Sequence, residues 1–211
     1  MRARNASKTE MDTKPSQMPI TAAALGLRVK SGRAIAVLVT GFTDSPLVVD
    51  RREIELCDPK IPESRQPYHA GMGKLQTDEA TIKRLRGVVN RAAERSVAEM
   101  MRAYMAAGHS LRAVGLVVGS EIDPATISNP HIRAHALEGR LFRTSLEEAL
   151  GPYGLPASVV VERAAYAQAA KVLSLSEQRL KLALARMGKG LSGPWRSDEK
   201  TACLAAWLSL A

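Results

Sequence analysis

Apolar and polar positions fall into blocks whose period changes along the chain. Residues 22–27 are apolar, residues 28–33 are mostly polar, and residues 34–39 (AIAVLV) are apolar again. Two short apolar runs around Ser31-Gly32 predict a buried β-hairpin. A third strand is expected over residues 47–56, where Val49, Ile54 and Leu56 are interrupted by Asp50, Arg51, Arg52 and Glu53. That mixture suits a strand at a sheet edge with one face in water. Residues 58–76 carry Pro59, Pro62, Pro67, Gly71 and Gly73 and predict a long loop.

The period then becomes helical. Ile82, Leu85, Val89, Ala92, Val97, Met100 and Tyr104 recur at helix spacing, with Thr77 or Asp78 as the cap and Gly108 as the stop. Lys83, Arg84, Arg86, Arg91, Arg95 and Arg102 fill the other positions and read as a solvated face. Residues 111–118 (LRAVGLVV) form a nearly continuous apolar strand, as in a sheet covered on both sides. A helix over 131–150 follows, capped by Ser128 or Asn129, with Pro130 in its first turn. A buried strand over 158–162 comes next, then helical stretches near 164–173, 176–187 and 198–210. Three antiparallel strands followed by alternating helix and strand predict an α/β fold, a mixed five-stranded sheet with helices on both faces. Residues 1–20 are polar, slightly basic and aperiodic and read as a disordered basic tail, leaving 21–211 as one domain.

The formal net charge of +9 points to anionic partners, nucleic acid being the commonest large one. No apolar run approaches the ~20 residues that span a bilayer, so no membrane role is expected. Arg2, Arg4 and Lys8 are followed by no apolar segment, unlike a secretory signal. Cys57 and Cys203 lie far apart without metal-type spacing, so both read as core thiols in a reducing cytoplasm. No Walker loop, Ser-His-Asp arrangement or CxxC is present.

Five segments, in order, resemble the RuvC-type Holliday-junction resolvases of the ribonuclease H-like superfamily. They are ALGLRVKSGRAIAVLV from Ala24, the strand leading to Glu121, the Asn129–Gly139 stretch, the strand and helix from Pro156 through SEQRLKLALARMGK, and the final DEKTACLAAWLSL. The resemblance implies a ribonuclease H-like fold and two Mg²⁺ ions about 4 Å apart, held by acids of the first strand, the central strand and the last helix. It also implies a branched or single-stranded DNA partner and a possible homodimer. Position by position, Glu121 and Asp198 keep two of the acids, and Thr201 replaces a third. Arg28 stands where the resemblance puts the Asp that bridges both metals. At ~5 Å, even at high effective dielectric, a guanidinium repels a divalent ion by several kcal/mol. The expectation is therefore a protein without two-metal chemistry and without a cofactor, in which Arg28 pairs with Glu121 or Asp198. The alternative is an active Mg²⁺ endonuclease with a relocated ligand, Asp50 or Glu199. A further alternative is an interaction protein with no nucleic-acid role.

Asn129, His131, Arg133, His135, Arg140 and Arg143 at a helix start form a candidate phosphate-binding set, joined by Lys30 and Arg33 of the hairpin. The competing reading is salt bridging to Glu138, Glu147 and Glu148. His131, His135 and Glu138, at i, i+4 and i+7, also have a metal-ligand spacing. Flanking Arg133 and Arg140 oppose a cation, so this face is read as polar with no metal assigned. Tyr68 in the long loop, and Trp195 with Lys189 and Arg196, offer base stacking or plain packing. The loop at Lys30-Ser31-Gly32 also resembles the phosphate loops of actin-like ATPases, which likewise use an Asp at the position of Arg28.

Overall fold

The computed structural model describes residues 21–211. The tail read at 1–20 lies outside the described residues. Strands β1 (Thr21–Lys30), β2 (Arg33–Phe42) and β3 (Ser45–Glu55) form an antiparallel meander. Residues 56–78 contain 3₁₀ turns at Pro62–Arg65 and Gly71–Gly73 and a small ribbon, β4 (His69–Ala70) with β5 (Lys74–Leu75). Helix α1 (Glu79–Ala106) leads to β6 (His109–Val118), and α2 (Pro130–Leu150) leads to β7 (Ala157–Val161). Helices α3 (Ala165–Val172), α4 (Glu177–Met187) and α5 (Ser197–Leu208) complete the chain. The sheet order is β3-β2-β1-β6-β7, with β1, β6 and β7 parallel.

The two-residue period of β1 divides its side chains between two cores. Ala23, Leu25, Leu27 and Val29 face α1 and α2, where Val89, Met100, Phe142 and Leu146 cover them. The other face meets α5, whose Ala202, Cys203 and Ala206 pack with Val37 and Val39 of β2. Gly26 and Gly115 sit side by side in the parallel register and let α5 lie close to the sheet. A Cβ on Gly26 would stand 1.8 Å from the Ala202 carbonyl oxygen, and one on Gly115 2.7 Å from that of Ala205. Arg28, two residues beyond Gly26, therefore points to the α5 side, at that helix's first turn.

The helix caps follow the sequence. Asp78 accepts from the Thr81 N–H at 3.0 Å, and Asn129 accepts from the N–H groups of His131 and Ile132. Two expectations need correction. Arg28, expected in the hairpin loop, is inside β1, paired with Ile35 of β2 and Val117 of β6. The ladder to β2 runs on to Lys30 and Arg33 and carries the strand through polar residues that no apolar period marks. The long loop is not featureless either. Ser64 is buried in it, donating to the Ile61 carbonyl at 2.6 Å and accepting from the Asp58 N–H at 3.0 Å.

Candidate functional site at the carboxyl ends of the parallel strands

Strands β1, β6 and β7 end side by side, the position where α/β sheets most often present chemistry. Arg28 occupies the centre. Its side chain is 5% exposed, and its Nη2 donates to Glu162 Oε2 at the end of β7. Its Nη1 donates to the Val29 carbonyl at 2.9 Å and to the Val117 carbonyl at 3.4 Å. Its Nε lies 3.7 Å from Asp198 Oδ1, and the Lys30 Nζ lies 3.2 Å from the same oxygen. Asp198, in the first turn of α5, also favours the positive end of that helix. Two cations and two carboxylates thus close a balanced group. The paired acids are Asp198, as expected, and Glu162, which no motif singles out.

Glu121 is not part of this group. Beyond Val118 the chain leaves the sheet toward α2, and Glu121 accepts from the Arg143 Nη1 at 2.8 Å. Arg143 also lies 3.7 Å from Glu147. The two remnant acids therefore serve different cations. The relocated ligands offered by the sequence are engaged as well. Asp50 accepts from the Tyr104 hydroxyl at 2.7 Å and from Arg52 Nε at 2.6 Å. Burial pushes the Asp50 carboxyl up, but those donors outweigh it and hold it below the usual range. Glu199 pairs with Arg51 at 2.7 Å and accepts from the Arg196 N–H at 2.7 Å. Burial again opposes ionisation, and again the donors prevail, so Glu199 is held low.

The candidate phosphate set is also largely neutralised. Arg140 pairs with Asp123 at 2.8 Å, Arg133 donates to the Ile127 carbonyl at 2.7 Å, and Arg33 lies 3.6 Å from Glu53. Arg140 and Arg143 of α2 thus form salt bridges, with Asp123, Glu121 and Glu147 as partners. Glu138 and Glu148 take other roles: Glu148 accepts from Asn90, while Glu138 is buried among histidines.

His131 and His135 share a face of α2 with Glu138, as their spacing requires, and His69 of β4 closes over them. The Glu138 Oε1 lies 2.7 Å from His69 Nδ1. Burial raises the Glu138 carboxyl above its usual value, against the pull of His69. Burial, with His69 and His131 nearby, lowers His135. His69 escapes a reading of α2 alone because it lies some sixty residues earlier, in a loop. A cleft of about 410 Å³ separates this cluster from Arg28, lined by Arg28, Lys30, Val118, Ile132 and His135. Tyr68 packs against the core beneath the loop, and Trp195 packs on the α5 side, donating to the Leu184 carbonyl at 2.7 Å. Both take the packing role.

No protein-family model matches the sequence, and no curated protein matches it. Solved structures do. Thermus thermophilus RuvC in complex with Holliday junction substrate superposes with a TM-score of 0.51 at 11% identity, covering 90% of this chain and 91% of that one. The fold is RuvC-like. A second Thermus thermophilus RuvC structure gives a TM-score of 0.49 at 12% identity, over 89% of this chain and 92% of the other. The yeast mitochondrial Holliday junction resolvase Ydc2 gives 0.44 at 11% identity, over 92% and 81%. The RuvC-like fold is thus a mixed five-stranded ribonuclease H-type sheet with helices, as the order of elements predicts.

The residues at the strand ends do not fit the pair of Mg²⁺ ions that the resemblance implies. Mg²⁺ needs near-octahedral oxygen ligands, and here the central side chain is a buried guanidinium paired with Glu162 and close to Asp198. Among the described residues, only His69, His131 and His135 bring three potential ligand atoms within 4.8 Å of one another. No helix among them is long and apolar enough to cross a membrane.

Proposed function

We propose that this chain is a nucleic-acid-binding protein with a RuvC-like fold that does not cut by two-metal chemistry. The observation that carries the reading is Arg28, buried at the first-strand position and neutralised by Glu162 and Asp198. A cation fixed by two acids does the electrostatic work that divalent ions would do there, so the acids have no metal to hold.

The binding half of the proposal rests on charge. Arg84, Arg91, Arg95 and Arg102 of α1 follow one another at i, i+7, i+11 and i+18. At 100° per residue these fall within about 20° of one line, over about 27 Å of helix. All four are exposed, and none has a carboxylate within 4 Å among the described residues. An uncompensated row of this length suits a run of backbone phosphates. Lys30, Arg33, His131, Arg133, His135, Arg140 and Arg143 are the further cations of this reading; Lys30, Arg33, Arg140 and Arg143 would first have to exchange a carboxylate for a phosphate. RuvC itself was captured on a Holliday junction, which makes a four-way junction the first substrate to try.

The test is fluorescence anisotropy of labelled four-way and single-stranded DNA over rising salt, with a gel for cleavage in Mg²⁺. Binding that weakens steeply with salt, without cleavage, supports the reading. Cleavage lost on both Glu121→Ala and Asp198→Ala would establish a working metal site instead. Absence of salt-dependent binding would refute the nucleic-acid reading.

A further inference from the structure

The three histidines above the cleft are arranged for more than mutual packing. His69 and His131 each present Nδ1 to an oxygen acceptor, and that of His135 lies just beyond hydrogen-bond reach of one. His69 Nδ1 lies 2.7 Å from Glu138 Oε1, His131 Nδ1 lies 3.1 Å from the Gly73 carbonyl, and His135 Nδ1 lies 3.7 Å from Glu138 Oε2. An imidazole that donates from Nδ1 leaves its Nε2 lone pair bare. The Nε2 of His69 is buried and has no hydrogen-bond partner, on a side chain only 8% exposed. The Nε2 atoms of His131 and His135 stand 3.2 Å apart. Two ligand nitrogens at the ~2.05 Å zinc–nitrogen distance of a tetrahedral site are separated by about 3.3 Å. The ring centroids lie 4.5–5.1 Å apart with planes at 56–80°. The rings therefore meet tilted or edge-on, not stacked.

We propose that His69, His131 and His135 bind one divalent first-row transition metal of the zinc class through their Nε2 atoms, with Glu138 as the carboxylate that orients them. Imidazole ligands select zinc-class metals over Mg²⁺. Glu138 is fully buried and its Oε1 holds the Nδ1 of His69, as a carboxylate behind a metal-bound histidine does. Of the flanking cations, Arg140 is paired with Asp123, while Arg133 keeps its charge and is held by the Ile127 carbonyl. Gly73, at φ +73°, has its carbonyl against His131, and a Cβ there would stand 3.3 Å from His131 Nδ1. Three protein ligands leave a fourth position for water or a substrate oxygen, the pattern of catalytic zinc sites. His135 lines the cleft that Arg28 and Lys30 also line. The proposal is independent of the nucleic-acid reading and uses none of its residues except His131 and His135.

The test is titration of the chelator-treated full chain with Zn²⁺ by calorimetry, and with Co²⁺ by visible absorption. One Zn²⁺ per chain is expected, with the strong visible bands of four-coordinate Co²⁺. His69→Ala and His135→Ala should each abolish both signals. Glu138→Gln should weaken Zn²⁺ binding by about 10–100-fold. His109→Ala, outside the cluster, should leave binding unchanged. His135 is exposed, so its variant keeps the test sound even if His69→Ala fails to fold. Retention of stoichiometric Zn²⁺ by His135→Ala, or failure of the parent protein to bind, would overturn the proposal.

Discussion

Replacing Arg28 by Met removes the charge while filling much the same volume, and so isolates the ion group at the strand ends. Breaking a deeply buried pair by deleting one partner costs about 3–5 kcal/mol, because the other charge stays behind. Here the orphaned acids are not sealed. The Glu162 side chain is 39% exposed, that of Asp198 is 30% exposed, and Asp198 keeps Lys30. Water recovers part of the loss, and about 2–3 kcal/mol remains. In a chain of this size that lowers the thermal midpoint by about 5–10 °C. Differential scanning calorimetry at neutral pH, with Arg28→Met, Glu162→Gln and the double variant, reads both the loss and the coupling. The double variant should be less destabilised than the sum of the singles by about 1–2 kcal/mol. If Arg28→Met melts within about a degree of the parent, the guanidinium is not holding the acids and the reasoning fails.

Three further outcomes follow from particular contacts. Gly26→Ala sets a methyl 1.8 Å from the Ala202 carbonyl of α5 and should destabilise the fold by more than about 3 kcal/mol or prevent soluble expression, as a urea melt or a solubility assay would show. Glu199 is held below its usual value by Arg51 and the Arg196 N–H, so its contribution is complete above the ordinary Glu range and lost as pH falls through its folded value; Glu199→Gln should flatten the acid limb of the stability–pH curve, and an unchanged limb would count against that ion pair. Reversing Arg84 and Arg91 to Glu should weaken DNA binding and lower the salt slope by about one per lost phosphate contact, whereas an unaltered slope would move the interface off α1.

The fold was legible because its periods are clean. The apolar runs of β2 and β6 and the helical spacing of α1 and α2 each identify an element, and their order leaves few topologies. The caps were readable to within two residues, Thr77 or Asp78 and Ser128 or Asn129, and the structure picks the second of each pair. The site was legible only where one element carries it. Asp198 and the i, i+4 histidines appear in the sequence as they stand in the fold, but their partners do not. Glu162 follows an apolar run and carries no local mark. It becomes a partner of Arg28 only because β7 pairs beside β6 and ends level with β1. His69 is a loop residue until the β4–β5 ribbon folds it onto α2. Glu121 shows the converse. Its position after β6 is as expected, yet its direction depends on the loop beyond Val118, which hands it to Arg143.

The central claim is that a fixed guanidinium stands in for divalent ions, and the most direct measurement is the thermal midpoint with and without millimolar Mg²⁺, for the parent and for Arg28→Asp. The account expects the parent to be insensitive to Mg²⁺. Arg28→Asp places a third acid against Glu162 and Asp198, so it should melt lower without ions and recover several degrees when Mg²⁺ is added. A parent midpoint that rises with Mg²⁺, with the rise abolished by Asp198→Ala, would contradict the account.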